Sequence, residues 1–359
     1  MAIVNAMCFC LMMQAALPAD AMRADEGHVC IERLSERVLL AYWRGTGRCN
    51  LTAIQSEKGL VIIDTEMSPR IMAPIKKRIE QEFGRSDWAY VINTHGHMHH
   101  AGGNVLFKPA VVVGHENLPE DMEWLIKHQT DAAAKRQVLA NASRTIRNLR
   151  AVLNQVANSP QDAQRLRSEI AFWQLYGQDM REGFEVVRPS LMFADRHTLD
   201  LGDLRLELVF FGKGHSLSDI LIYVPQERLL VTGPIVYQRN HLPEIGEAST
   251  MKDVHRYMAV LDAFLADNVR IDHVVPSHSP PLLKSDLTCV REYYHRLLAG
   301  LRAARREGRT LEQATELLSL SRAFPTYLVP QPGQWNYGMQ ERNIKNLWRI
   351  LDEESPQTN

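Results

Sequence analysis

Four histidines in six positions, His95, His97, His99 and His100, follow directly on the compact apolar run Trp88-Ala89-Tyr90-Val91-Ile92-Asn93. Such a run reads as a buried strand. The chain therefore carries these imidazoles where it leaves a sheet edge, the place where α/β proteins collect functional groups. Gly96, Gly102 and Gly103 let the backbone bend sharply enough for several rings to converge. One buried imidazole is easily satisfied in a core; four would each need their own hydrogen-bond partner. A tag-like surface run would not be set between a strand and Gly102-Gly103. Imidazole is the common donor to divalent zinc, copper, iron and nickel, so the segment reads as a metal site.

One segment does not close such a site. Zinc takes roughly three or four protein donors, and a two-metal site about six. Two further histidines stand at strand ends. His215, in Gly214-His215-Ser216, follows the apolar strand ending Phe210-Phe211, and His278, in Pro276-Ser277-His278-Ser279, follows His273-Val274-Val275. Alone, each would read as a satisfied surface histidine; beside the cluster, each becomes a candidate ligand.

The surrounding pattern is α/β. Strand-like runs occupy 38–43, 50–55 and 59–64, separated by Gly-containing breaks. Residues 69–83 carry Ile71, Met72, Ile75 and Ile79 at helical spacing, and 110–113 is the strand after the histidines. Strand and helix alternate, which argues for layered α/β architecture. Residues 117–183 change character to long, polar and helix-forming. The stripe Ile146, Leu149, Val152, Leu153 and Val156 suits either a helical hairpin packed on the domain or a lid, and the hairpin is the plainer expectation. Strands return at 196–201, 204–211, 220–224 and 229–232, then a helix at about 251–266 and a short strand at 273–275. The tail is helical, with Ile344, Leu347, Trp348 and Leu351 on one face.

Composition removes some functions. The 359-residue chain has a formal net charge of −1, so no basic field exists to hold phosphate backbones, and nucleic acid is a poor partner. Residues 2–17 lack charged side chains and lead into Ala19-Asp20-Ala21, which reads as a signal peptide over 1–21 without a basic n-region. It is too short to span a bilayer, and the expected product is a periplasmic or secreted protein with no stable membrane insertion. Cys8 and Cys10 would leave with that segment. Cys30 and Cys49 are then either a disulfide or two buried thiols, and Cys289 is structural.

The ordered segments His95-Gly96-His97-Met98-His99-His100, Gly214-His215-Ser216 and Pro276-Ser277-His278, with Gly59-Leu60-Val61-Ile62-Ile63-Asp64-Thr65 before them, resemble the metallo-β-lactamase superfamily over roughly residues 33 to 283. The resemblance implies an αββα sandwich over about 30–285, with 117–183 as a helical insertion and 286–359 as a helical extension. It also implies a structural role for Asp64. Position by position, His95, His97 and His215 would hold a first metal, and His100 and His278 would help hold a second. Two departures stand out. The motif's Asp is His99 here, and Pro234 follows Leu230-Val231-Thr232-Gly233 where many relatives carry a metal-bridging Asp. No Cys lies nearby, so the pattern most resembles the third metallo-β-lactamase subclass.

His99 as a neutral ligand would weaken a second metal and acidify its water, and an all-nitrogen set relaxes preference toward copper or nickel; the alternative is that His99 swings away and one zinc remains, held by three histidines with an open position. The expected cofactor is one or two Zn²⁺ ions. The expected chemistry is attack of a metal-bound hydroxide, oriented by His99, on the carbonyl of a small amide, lactam, lactone or ester. Asp219 reads as a structural partner of neighbouring backbone or of a ligand histidine, and Tyr237, Asn240 and His241 are either substrate contacts or a plain polar loop. Two other readings stand beside this one. One is a metal-binding protein with little or no hydrolase activity. The other, an iron oxidoreductase, is opposed by the missing carboxylates.

Overall fold

The computed structural model describes residues 27–45, 49–156, 159–237, 241–332, 334 and 336–354. Residues 1–21, read above as a signal peptide, with Cys8 and Cys10, and Asn240 lie outside them. The backbone divides into two compact units, one ending at Glu207 and one running from Leu208.

The first unit is built on a seven-stranded sheet in the order β1-β2-β3-β4-β5-β6-β7. Its strands are β1 (Val29–Arg33), β2 (Val38–Trp43), β3 (Leu51–Ser56), β4 (Gly59–Ile63), β5 (Trp88–Ile92), β6 (Val111–His115) and β7 (Leu191–Phe193). The first four form an antiparallel meander, as the Gly-broken runs predict. From β4 onward neighbours are parallel. Helix α1 (Pro69–Phe83) makes the β4-to-β5 crossover. Its Ile71, Met72, Ile75 and Ile79 pack on Leu39, Ala41, Ile62 and Val91, each fully buried aliphatic side chain contributing roughly 1.5–3 kcal/mol. Gly84, in the left-handed region at φ 66°, stops the helix.

Ile63 is in register with Ile92, so β4 and β5 release the chain side by side at one sheet edge. That register decides the site: Asp64 and Thr94 become neighbours. Helices α2 (Met98–Ala101), α3 (Leu118–Asp121) and α4 (Glu123–Thr130) follow, then the long pair α5 (Ala132–Gln155) and α6 (Pro160–Glu182). That pair is a hairpin seated on the unit's own core. Tyr176 and Met180 join the core, Trp43 Nε1 donates to Ser168 O at 3.0 Å, and Arg70 pairs with Asp179. Ile146, Leu149, Leu153 and Val156 face inward as expected, while Val152 lies off the stripe and is exposed. Cys30 and Cys49 are buried thiols not joined in a disulfide, which removes the bridged alternative. Cys49 is held elsewhere, donating from Sγ to His99 O at 3.1 Å.

The second sheet runs β12-β11-β10-β9-β8, with β8 (Arg196–Asp200), β9 (Arg205–Phe210), β10 (Ile220–Val224), β11 (Leu229–Gly233) and β12 (His273–Pro276). The unit boundary falls within β9. β10 is antiparallel to β11, and β11 is parallel to β12. The loop before β10 and the loop after β12 therefore leave the same edge, and these loops carry His215 and His278. Helices α7 (Met251–Leu265), α8 (Asp286–Arg306), α9 (Leu311–Leu317), α10 (Leu320–Ala323) and α11 (Met339–Glu354) complete the second unit. Val254, Tyr257 and Leu261 of α7 share one core with Leu221, Leu230 and Val274 of the sheet and Ile344 and Leu347 of α11. α7 starts on a capping box between Thr250 and Asp253. Among the described residues no helix is long and apolar enough to cross a membrane.

Candidate metal centre

In the first unit the histidines are organised by Asp64. This buried carboxylate accepts the Thr94 N–H at 2.8 Å, the Thr94 hydroxyl at 2.8 Å and, in its ionised form, His100 Nδ1–H at 2.7 Å. Burial pushes its carboxyl up to about 8, with the two Thr94 bonds pulling the other way. Thr94 Oγ1 also lies 3.0 Å from His95 Nδ1. With Asp64 ionised, the Thr94 hydroxyl proton points to the carboxylate, so Thr94 Oγ1 accepts from His95 Nδ1–H. Both His95 and His100 then carry their proton on Nδ1 and present Nε2 as a lone pair. Their ring centroids are 4.1 Å apart.

His97 sits at the start of α2 and is exposed. Ligand atoms of His95 and His97 lie within 4.8 Å of one another. His99 is half-buried on α2, its ring centroid 6.3 Å from that of His100. Asp64 has the structural role expected of it, within a network wider than sequence reasoning anticipates. Thr65 N–H and Asn93 Nδ2 both donate to His100 O, at 3.0 and 2.6 Å, and Asn104 Nδ2 donates to Asn93 Oδ1 at 2.8 Å. Asp64 and Glu66 both hold left-handed backbone (φ 64° and 60°), a strain of about 1–3 kcal/mol each that the packing must offset. A Cβ on Gly102 would stand 2.1 Å from Met67 O, so only glycine lets the histidine loop close on the 65–67 turn. Glu66 is buried, its carboxylate accepting the Met67 N–H at 3.2 Å, and burial raises it to about 8. The flanking Asn93 and Asn104 were the available sequence clue to this network; Glu66 offered none.

In the second unit His215 and His278 are both half-buried. Asp219 knits the His215 loop as expected, accepting His215 N–H at 2.7 Å, Ser216 N–H at 3.1 Å and Ser216 Oγ at 2.6 Å. Tyr257 and Ser249 hydroxyls donate to Lys213 O. His215 Nδ1 lies 3.3 Å from Glu244 Oε2, a neighbour the sequence did not single out. Tyr237 and His241 are buried against each other, ring centroids 4.0 Å apart. Burial holds the His241 imidazole well below the usual range, with His215, His278 and Arg342 adding to the effect. Pro234 is buried directly after β11 and offers no ligand atom.

Imidazole donors of this kind suit zinc, copper or nickel and not magnesium or calcium, which prefer oxygen. The donor set of both units thus fits a divalent transition metal.

Residues 44–278 match a family model described as the metallo-beta-lactamase superfamily. No curated protein matches in sequence. Among solved structures, a stereoselective inverting sec-alkylsulfatase from Pseudomonas sp. aligns at 17% identity over 91% of this chain and 51% of its own, with a TM-score of 0.58. This chain thus spans about half of the sulfatase. A metallo-beta-lactamase family protein from Thermus thermophilus aligns at 16% identity over 86% of this chain and 89% of its own, TM-score 0.51. These two likenesses show a common fold, two sheets with flanking helices.

Proposed function

Because the chain belongs to the metallo-beta-lactamase superfamily, we propose that it is a zinc-dependent hydrolase of a small amide, lactam, lactone or ester. In this reading His95, His97 and His215 hold the first metal, and His99, His100 and His278 surround a second. The observation that carries it is the Asp64–Thr94–His95 chain, with Asp64–His100 beside it. A core histidine needs partners for its ring nitrogens; here Nδ1 of each is fixed, and Nε2 is turned into a donor.

A bound divalent metal would supply Lewis acidity and a more acidic water for hydrolysis. The chain's own residues do the positioning. Once ionised, Asp64 acts with Thr94 to hold the proton on Nδ1 of His95 and does so alone for His100, and Asp219 fixes the backbone that carries His215. His99 stands where the family's motif Asp would be and is proposed to orient the attacking water.

Metal analysis of the purified protein tests this, paired with turnover of a chromogenic cephalosporin, a simple lactone and a secondary alkyl sulfate. The sulfate ester is included because the alkylsulfatase fold covers most of this chain. One to two equivalents of zinc are expected in the native protein, and none in a His95→Ala, His97→Ala double variant. A double variant that keeps its full metal would sink the assignment. Stoichiometric zinc with no turnover of any substrate would favour a metal-binding protein without hydrolase activity. His99→Asp is expected to raise affinity for a second metal.

A further inference from the structure

Segment 243–249 has no regular secondary structure, yet it is pinned from one face of α11. Asn343 Nδ2 donates to Pro243 O at 2.8 Å and Asn343 Oδ1 accepts the Ile245 N–H at 2.9 Å. Asn346 Nδ2 donates to Ile245 O at 2.7 Å, and Arg349 Nη2 donates to Glu247 O and Ser249 O at 2.9 and 3.1 Å. The spacing 343, 346, 349 puts these three side chains on one side of the helix. From α8, Tyr294 OH donates to Glu244 O at 3.2 Å. The segment also touches the His215 loop directly. A Cβ on Gly246 would stand 2.4 Å from Gly214 O, so the two backbones meet where only glycine fits.

The result of this clamping is that the Glu244 carboxylate faces the His215 imidazole. Packing alone does not require that: a glutamate at a half-exposed position is free to point into water, and here Oε2 lies 3.3 Å from Nδ1. At 3.3 Å the pair is close enough for a hydrogen bond, but Nδ1–H is not aimed at Oε2, and a rotation of either side chain is needed to close the bond. We propose that Glu244, held in place by α11 and Tyr294, is the positioning residue of His215, accepting a hydrogen bond from its Nδ1–H and leaving Nε2 to face a metal. The helical tail then belongs to the site, although it lies beyond the family match at residue 278. The assignment of His215 as a ligand rests on the proposed function; the tautomer of its ring does not.

The test uses the full-length protein without metal, by long-range ¹H–¹⁵N correlation of the imidazoles at pH 8. His215 is expected to carry its proton on Nδ1. Glu244→Ala should move it to Nε2, and Glu244→Gln, whose amide oxygen still accepts, should restore the Nδ1 form. Asn343→Ala should act like Glu244→Ala, by loosening the segment and not the carboxylate. In a cobalt(II) titration Glu244→Ala should bind about tenfold more weakly, the usual cost of losing an outer partner of a ligand histidine, with Glu244→Gln recovering most of it. A wild type protonated on Nε2, or a tautomer indifferent to Glu244→Ala, overturns the proposal. Wild-type protein that takes no cobalt but shows the Glu244-dependent tautomer supports the positioning and overturns the metal reading.

Discussion

The two histidine-bearing regions prepare their imidazoles by different physical means. In the first unit His95 and His100 are buried, and one buried carboxylate, Asp64, governs both. The carboxylate, Thr94 and both rings lie between residues 64 and 100, delivered by two parallel strands in register. In the second unit His215 and His278 are half-buried. There the loop is tied locally by Asp219, but the residue facing the ring, Glu244, is placed by contacts to α11 about a hundred positions away. The first arrangement depends on a few strong interactions in a dry environment, where losing one partner strands the others. The second depends on many weaker bonds near water, each replaceable.

The largest consequence is in stability. Asp64→Ala leaves the Thr94 N–H, the Thr94 hydroxyl and His100 Nδ1–H without their acceptor in a water-free setting. Above about pH 8, where Asp64 is ionised, it should cost about 3–5 kcal/mol, as removal of one member of a buried charged network does. Asp219→Ala also removes three hydrogen bonds; Asp219 is itself buried, but His215 and Ser216, whose groups it accepts, are half-buried and can turn to water, and about 1–3 kcal/mol is expected. Urea denaturation of the two metal-free variants decides the matter. Equal losses would erase the contrast between the regions.

A smaller effect separates the regions by pH. Burial raises Glu66 from 4.5 to about 8 and Asp64 from 3.8 to about 8. Between those values the folded protein holds protons that the unfolded chain has released. The contribution of these two carboxyls to the stability of the metal-free protein is therefore greatest below about 4, declines as pH rises through the window, and levels off above about 8, while carboxyls held below their ordinary range, such as Glu82, Asp87 and Asp203, act in the opposite sense in acid. Glu66→Gln should remove its share of the slope, leaving the part due to Asp64. Denaturation midpoints measured at pH 6 and pH 9 give the slope; an unchanged slope in Glu66→Gln would show that this carboxyl does not titrate in the window.

The same contrast explains what could be read from the sequence. The strand before His95, the crossover α1 and the roles of Asp64 and Asp219 were legible, because each depends on periodicity or on neighbours a few residues apart. The outward-lying Val152 and the short strands β1 and β7 were not, since a three- to five-residue element carries too little pattern. Thr94 and the Asn93–Asn104 pair lay next to the histidines, and only the strand register shows what they bind. Glu244 was out of reach altogether. Ile344, Leu347 and Leu351 announced the buried face of α11, but Asn343 and Asn346 beside that stripe look like a solvated surface until the 243–249 segment is laid against them.

The smallest prediction tests that last point. Asn346 makes one hydrogen bond to the segment, from Nδ2 to Ile245 O, at a half-buried position. Asn346→Ala should cost about 1 kcal/mol, the net worth of a single such bond where water can replace the partner. Asn343 is buried, accepts Ile245 N–H and donates to Pro243 O and Tyr293 OH, so Asn343→Ala should cost more, about 2–3 kcal/mol. Because both asparagines bond Ile245, the double variant should lose less than the sum of the two. Urea denaturation of the two single variants and the double closes that cycle. Strict additivity would mean that the asparagines act on separate parts of the molecule, and the second region would then lack the shared clamp that sets it apart from the first.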